Sequence, residues 1–591
     1  LLDSTTAPFE QDFAHDIFKQ RYAFNDQENW TGLSHRVIAY PMGALFSAPG
    51  ARSGKVQTTD ILDSVDYLTG LHDRRQFIAG GRYLYAAGRD LHQVNNCVLL
   101  NCPDSREGWA DMSYKAEMSL MTGAGIGGYY GECRPGGWAI KRTGGVASGP
   151  LPKIQQVNET GRHTMQGGNR RSAIWAGLPW YHPDIFDFIK VKDWSDDVKA
   201  MKTADWTFPA ACDMTNISVC LDDAFFNFYN GSGELAFQTL TMEAPEWMKN
   251  EHGMVSPNAP DGYSWEAWAK RVYDTSVSHM TKHGEPGFSV DRGEKWAEKL
   301  RNACTEITSA DDSDVCNLGS LVLPRFDSPK DFEEAVRHAV LFLTAGSEYS
   351  DVPYAKVRDV RTLNRRLGLG LIGVHEFLMK RGVKYGTDAA FEVLEPYMES
   401  YSRALEFAHE WQDRLGLSLS KGATAIAPNG TIGIVSESTP SADPMFSAAE
   451  LRQVKNAHHS GRDTYTQHVV VDPVAARLVN EGVDTRLIED AHTLSLQPER
   501  RIAQQAYMQR YVDHAISSTI NLAGVMNDSE ARDFGKTLMR HLPNLRGMTV
   551  YPDGARAGQP RTPVDLDWAL QRQGVTLETD DATCSGGVCG V

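Results

Sequence analysis

The sequence lacks several features, and each absence excludes a class of protein. No run of about 18 consecutive apolar residues occurs along its 591 positions, so no membrane-spanning helix is expected. The opening residues, Leu1-Leu2-Asp3-Ser4-Thr5, lack a basic segment followed by an apolar one, and no secretory signal is read there. Positive charge is scarce. With 59 Lys+Arg against 76 Asp+Glu, the formal net charge is −17. That balance argues against a general nucleic-acid-binding surface, though it leaves room for a small phosphorylated ligand in a local pocket. Internal repeats and low-complexity tracts are also missing. A composition of 41% hydrophobic and 23% charged residues is that of an ordinary folded chain. Its length is worth roughly four average domains, or one large α/β barrel with additions.

Nine cysteines are present, but none form a C-x-x-C pair or a Cys/His cluster of zinc-module spacing, so no metal ligands are assigned. An odd number of cysteines without a signal segment suits a reducing, cytoplasmic compartment, where thiols serve chemistry or rest in cores.

Residues 1–95 read as mainly helical. Beyond them, short apolar runs alternate with helical stretches. Candidate strands are Cys97 to Asn101, Asn216 to Leu221, Ser320 to Pro324, Thr424 to Pro428 and Met548 to Pro552. Helices fit at about 264–282 and 331–345, where Phe332, Val336, Val340 and Leu343 share one face. Strands separated by helices indicate an α/β architecture with buried parallel strands.

Several segments could carry chemistry. Asn302-Ala303-Cys304-Thr305-Glu306 sets an amide, a thiol and a carboxylate at alternate positions, which an extended backbone would turn to one face. A neighbouring carboxylate raises a thiol's pKa, so Cys304 is ill suited to thiolate attack, and the plain alternative is a core cysteine. Cys316, taken alone, also reads as core. Met121 to Gly128 formally contains G-x-G-x-x-G, but it follows a helical stretch rather than a strand, so a glycine-rich turn in close-packed backbone is preferred to a dinucleotide fingerprint. Pro428-Asn429-Gly430-Thr431-Ile432 suits either a phosphate-binding turn or an ordinary β-turn. Gly167-Gly168-Asn169-Arg170-Arg171-Ser172 is a basic loop for a phosphate or base, or simply a solvated one. Cys584 and Cys589 flank two glycines near the end of the chain, and a shuttling dithiol explains them better than packing does.

Together these segments resemble the large catalytic subunit of ribonucleotide reductases, from about residue 80 onward. Asn95-Asn96-Cys97-Val98-Leu99-Leu100 resembles the strand of the first redox cysteine, with Asn96 beside the substrate. Thr143 to Pro150 resembles the first loop, and Asn169 to Ala173 resembles the specificity loop. Asn302-x-Cys304-x-Glu306 and Cys316-Asn317-Leu318-Gly319-Ser320 resemble the finger loop and the second redox cysteine. Leu367-Gly368-Leu369-Gly370 is similar to a family helix start, and Pro428 to Thr431 to the phosphate turn. Asp513 to Ser517 with Thr519 to Leu522 is similar to a late helix of the cobalamin-dependent branch. Val550-Tyr551-Pro552-Asp553-Gly554 offers a single tyrosine where branches fed by a separate subunit have a pair, so the adenosylcobalamin-dependent class II enzymes are the nearest resemblance.

The resemblance implies a ten-stranded α/β barrel over 96–560 with a central finger loop, a helical region over 1–95 and a flexible tail over 561–591. It makes Cys304 the thiyl radical site, Glu306 the general base, Asn302 a hydrogen-bonding partner of the ribose, and Cys97 and Cys316 the reducing pair. Cys584 and Cys589 would renew that pair and be reset by a thioredoxin-like partner. It further implies adenosylcobalamin as cofactor, a ribonucleoside di- or triphosphate as substrate, a dNTP effector at 167–172, and a monomer or homodimer. No recognisable ATP-cone segment precedes Cys97, so activity control by ATP and dATP is not expected. The alternatives are a class I subunit that needs a radical-generating partner and a non-catalytic nucleotide-binding protein on the same fold.

Overall fold

The computed structural model describes residues 9–140, 144–164, 172–205, 207–293, 298–455, 465–553, 561–572 and 576–579. Sixteen strands fall into three sheets. They are β1 (Phe77–Ala79), β2 (Cys97–Asn101), β3 (Gly125–Tyr129), β4 (Ile174–Pro179), β5 (Thr215–Asp222), β6 (Gly287–Asp291), β7 (Leu300–Arg301), β8 (Thr308–Ser309), β9 (Asp314–Val322), β10 (Leu367–Ile372), β11 (Ala449–Lys455), β12 (Tyr465–Val471), β13 (Thr519–Leu522), β14 (Gly547–Pro552), β15 (Arg561–Pro563) and β16 (Thr576–Thr579).

The main sheet curls into a barrel made of two parallel halves. β2, β3, β4, β5 and β6 run parallel to one another. In the second half, β10 runs parallel to β9 and β14 parallel to β13. The extended stretch at 424–426 links them through two parallel bridges, Leu369 with Thr424 and Ile426 with Ile516. The halves meet antiparallel at both seams, β2 with β9 and β14 with β6. Each parallel step requires a crossover, and helices such as Arg106–Met121, Leu151–His163 and Trp265–His283 supply it on the outer face.

Local chemistry explains these elements. Helix Pro329–Tyr349 opens with Ser328, whose side chain accepts from the Asp331 N–H at 3.1 Å, and carries proline in its first turn. Its apolar face packs against the N-terminal helices Trp30–Gly43 and Thr58–Asp73, forming a core with Leu33, Val37, Leu68, Phe332, Val336 and Phe342. Residues 9–95 are therefore mainly helical, with β1 added beside β9.

Several sequence expectations are corrected here. Leu367 to Gly370 belongs to a strand and not a helix start, because its alternating leucine and glycine sit wholly buried between β9 and the 424–426 stretch. Thr519–Leu522 is likewise a strand, and Ser517 is held by a backbone bond to Ile426 at 2.9 Å, so no late helix forms there. The strand expected from Ser320 begins at Asp314, which puts Cys316 inside it. Residues 561–579, read as the start of a flexible tail, include β15, helix Leu566–Leu570 and β16, and β15 and β16 pair with β11 and β12 in a four-stranded sheet. Among the described residues, no helix is long and apolar enough to cross a membrane.

Candidate active site

Between β6 and β9 the chain rises through the barrel as a finger, a short hairpin of β7 and β8. Its tip is a tight turn. The Thr305 N–H donates to the Asn302 carbonyl at 3.1 Å, and Thr305 takes the left-handed conformation, φ +67. The extended reading of 302–306 therefore fails, and the amide, thiol and carboxylate are gathered by the turn instead. Asn302 helps close it, since its side-chain oxygen accepts from the Ile307 N–H at 3.0 Å. The Nδ2 of Asn302 is buried and makes no hydrogen bond within the protein.

Glycines in the barrel wall make room for the finger. A Cβ on Gly127 would lie 1.8 Å from the Arg301 carbonyl oxygen. One on Gly125 would meet Ala303 at 3.0 Å and the Cys97 sulfur at 3.1 Å, and one on Gly368 would meet Ile307 at 3.3 Å. Gly125 and Gly127 alternate along β3, so the bare face of that strand turns inward toward the hairpin. The glycine-rich segment after Met121 is thus a strand rather than a turn, and it is no dinucleotide fingerprint.

A thiol pair stands on the barrel wall beside the finger, where Ala303 and the Cys97 sulfur both border Gly125. Cys97 and Cys316 are directly paired across the antiparallel seam of β2 and β9. Such partners have Cα atoms roughly 4.5–5.5 Å apart, inside the range a disulfide spans. Both are buried and unbridged, whereas Cys304 is partly exposed. Burial, with Glu306 and Cys97 close by, pushes the Cys316 thiol well above the ordinary range, so it stays protonated. Glu306 is 1% exposed, and its carbonyl accepts from the Ala515 N–H at 2.8 Å.

The root of the finger is charged. Arg366 donates to Asp314 at 2.7 Å and to Glu298 at 2.6 Å. Arg301 donates to the Val290 carbonyl at 2.9 Å, and Arg546 to the Thr308 hydroxyl at 3.2 Å. Burial lowers Arg546 to about 9 and raises Asp291 to about 6. The sequence reading missed this root, because its members come from distant segments and no motif joins them.

The phosphate-turn candidate lies at the far ends of β9 and β10. Asn429, left-handed at φ 53, caps helix Gly430–Ser436 and donates to Ser320 Oγ at 3.1 Å and to the Leu371 carbonyl at 3.3 Å. Pro428 and Gly430 are exposed, Thr431 is half-buried and Ile432 is buried, so the first-turn N–H groups face an open side. Ser320 stands four residues beyond Cys316 on β9, roughly 13 Å along the strand. Asn96 links β9 and β3 at the start of β2, donating its N–H to the Cys316 carbonyl at 3.1 Å and accepting from the Gly125 N–H at 3.0 Å. Ser172 donates to the Gly161 carbonyl at 2.5 Å. Gly167, Gly168, Asn169, Arg170 and Arg171 lie outside the described residues, as do Cys584 and Cys589.

A shallow cleft opens at the ends of β13 and β14, lined by Phe446, Leu522 and Tyr551 together with His492, Ser495 and Asn521. On β14, Met548 and Val550 turn to the outer core, whereas Thr549 and Tyr551 are half-exposed on the opposite side.

Residues 95–411 and 416–542 match the ribonucleotide reductase barrel domain. The chain belongs to the ribonucleotide reductase family. This reductase is 25% identical over 560 residues to a vitamin B12-dependent ribonucleoside-diphosphate reductase of Mycobacterium tuberculosis, covering 87% of this chain and 73% of the relative. It is 26% identical to an enzyme of the same description from Thermoplasma acidophilum, covering 82% and 65%. A putative adenosylcobalamin-dependent ribonucleoside-triphosphate reductase of Mycobacterium phage D29 is also 26% identical, over 82% of this chain and 75% of that one. In fold, the reductase resembles the class Id ribonucleotide reductase alpha subunit of Actinobacillus ureae, with a TM-score of 0.65 at 17% identity over 92% of this chain and 97% of the other.

Proposed function

We propose that the chain reduces ribonucleotides to 2′-deoxyribonucleotides by thiyl-radical chemistry started with adenosylcobalamin. The observation that carries this reading is the cross-strand thiol pair of Cys97 and Cys316 on the wall beside the finger, where Ala303, the neighbour of Cys304, and the Cys97 sulfur both border Gly125. Cys304 takes and later returns the 3′ hydrogen of the ribose. Glu306 accepts the 3′ hydroxyl proton, and the free amide N–H groups of Asn302 hold the reacting oxygens. Water leaves from C2′, and the two thiols supply two hydrogens with their electrons and end as a disulfide. A neutral S–H is the form a hydrogen-atom donor needs, and the surroundings of Cys316 keep it in that form.

The turn at Pro428 to Ile432, with its open helix N-terminus, receives the phosphates. Adenosylcobalamin supplies the initiating radical by homolysis when bound. The cleft beside Tyr551 fits part of such a cofactor, because Phe446, Leu522 and Tyr551 offer apolar surface while Asn521, His492 and Ser495 offer polar partners for amide and nucleoside groups. The names of the bacterial, archaeal and phage relatives support the same cofactor. The loop at 167–172 takes a dNTP effector, and Cys584 with Cys589 pass electrons from a thioredoxin-like reductant to the buried disulfide.

The test is a reductase assay of the purified chain with adenosylcobalamin, a small dithiol, and each NDP and NTP in turn. Deoxynucleotide should form without any second protein. Product formation that requires an added radical-generating subunit would instead place the chain among the two-subunit enzymes.

A further inference from the structure

Helix Trp265–His283 ends in His279-Met280-Thr281-Lys282-His283. A spacing of four puts the two imidazoles on one helical face, one turn apart, and their ring centroids are 5.6 Å apart. A third group comes from another crossover, the loop that follows helix Ile185–Ile189. Asp193 Oδ1 lies 3.5 Å from His279 Nδ1 and 4.0 Å from His283 Nε2, and one ligand atom from each of the three residues falls within 4.8 Å of the others. These separations are long for hydrogen bonds. They are close to those of ligands around a shared ion, since zinc bound at about 2.1 Å places tetrahedral ligand atoms roughly 3.4 Å apart.

We propose that Asp193, His279 and His283 bind one divalent transition-metal ion of the zinc class. Two imidazoles and a carboxylate suit such an ion better than Mg²⁺ or Ca²⁺, which prefer all-oxygen shells. The side chains of Asp193, His279 and His283 are 41%, 17% and 48% exposed, so the ion can arrive from solvent and keep a water in its fourth position. The site also stands at the helix C-terminus, where Gly284 ends the helix in the left-handed conformation and the negative end of the dipole favours a cation. Lys190 and Lys282 are the charges that work against binding, Lys282 while bridged to Asp528 at 2.9 Å, and Lys192 is paired with Glu285.

The ion would clip the crossover after β4 to the helix that leads into β6 at Gly287. It is a staple on the outer face of the parallel half-barrel, and no step of the reduction passes through it.

The experiment titrates the full, reduced chain with Co²⁺ and follows the visible and near-ultraviolet spectra, then repeats the titration with Zn²⁺ by calorimetry and thermal unfolding. One equivalent should bind with d–d bands and no thiolate-to-metal charge transfer, and it should raise the unfolding temperature. In His283→Ala and Asp193→Asn that equivalent should bind at least about tenfold more weakly and the thermal shift should vanish. Both variants should unfold at the parent's temperature without metal, which separates lost binding from lost folding. Equal affinity in parent and variants, no saturable binding in the parent, or binding accompanied only by thiolate charge transfer would overturn the proposal.

Discussion

At the root of the finger Arg301, Arg366, Arg546 and Asp314 are buried beside the partly buried Glu298 and Asp291, whereas its tip presents no cation: a half-exposed thiol, two buried thiols on the wall, an unpartnered amide and the buried carboxylate of Glu306. The contrast divides the labour between positioning and chemistry. Buried ion pairs add little net stability, but breaking one is costly, so they hold a single arrangement of β7 and β8. Positive charges this close to the tip would draw its thiols toward thiolate, which is the wrong form for hydrogen-atom transfer. Carboxylate, thiol and burial together keep Cys316 protonated.

Substitutions at the two ends should break this comparison in different ways. Cys304→Ser, at the tip, is expected to abolish deoxynucleotide formation while nucleotide affinity and the unfolding temperature stay near the parent's; appreciable turnover would remove Cys304 from its role. At the root, Arg366→Met leaves Asp314 and Glu298 without their guanidinium and should cost about 3–5 kcal/mol of stability in urea unfolding. A loss below about 1 kcal/mol would show that the root does not hold the finger. Gly127→Ala forces a methyl group against the Arg301 carbonyl and should cost about 1–3 kcal/mol while lowering kcat more than it raises KM, because the tip is displaced.

The smallest effect concerns pH. A thiol whose pKa is raised in the folded state contributes stability below its unfolded value of about 9 and loses it as pH rises toward the folded value. Alkylation of Cys316 in the prereduced chain should accordingly keep accelerating above pH 9, and a rate that levels off at or below pH 9 would contradict the claim that Cys316 is held protonated.

The barrel and the residues proposed to react were legible to different degrees. Cys97 to Asn101 and Met548 to Pro552 read correctly as strands, because each is a short apolar run with turn residues at its ends. Asn302, Cys304 and Glu306 stood out by spacing and by resemblance, yet the turn that carries them did not, since it depends on the Thr305 and Ile307 N–H groups donating to Asn302. Leu367 to Gly370 misled, because the resemblance pointed to a helix start and a strand buried on both faces shows no apolar-to-polar alternation to correct it. The bare face of Gly125 and Gly127 could be seen in the sequence, but what approaches it could not. Asp193 was missed for the same reason, being far in sequence from the histidines it meets. The tail thiols and most of the basic loop lie outside the described residues and rest on the sequence alone.

The central claim is that Cys97 and Cys316 furnish the electrons for a reduction started at Cys304. The prereduced chain should be given adenosylcobalamin and substrate without any dithiol, quenched by alkylation, and mapped by peptide mass spectrometry. A Cys97 to Cys316 disulfide appearing in step with the first deoxynucleotide formed per chain is the predicted result. Product formed while both cysteines remain free to be alkylated would contradict it.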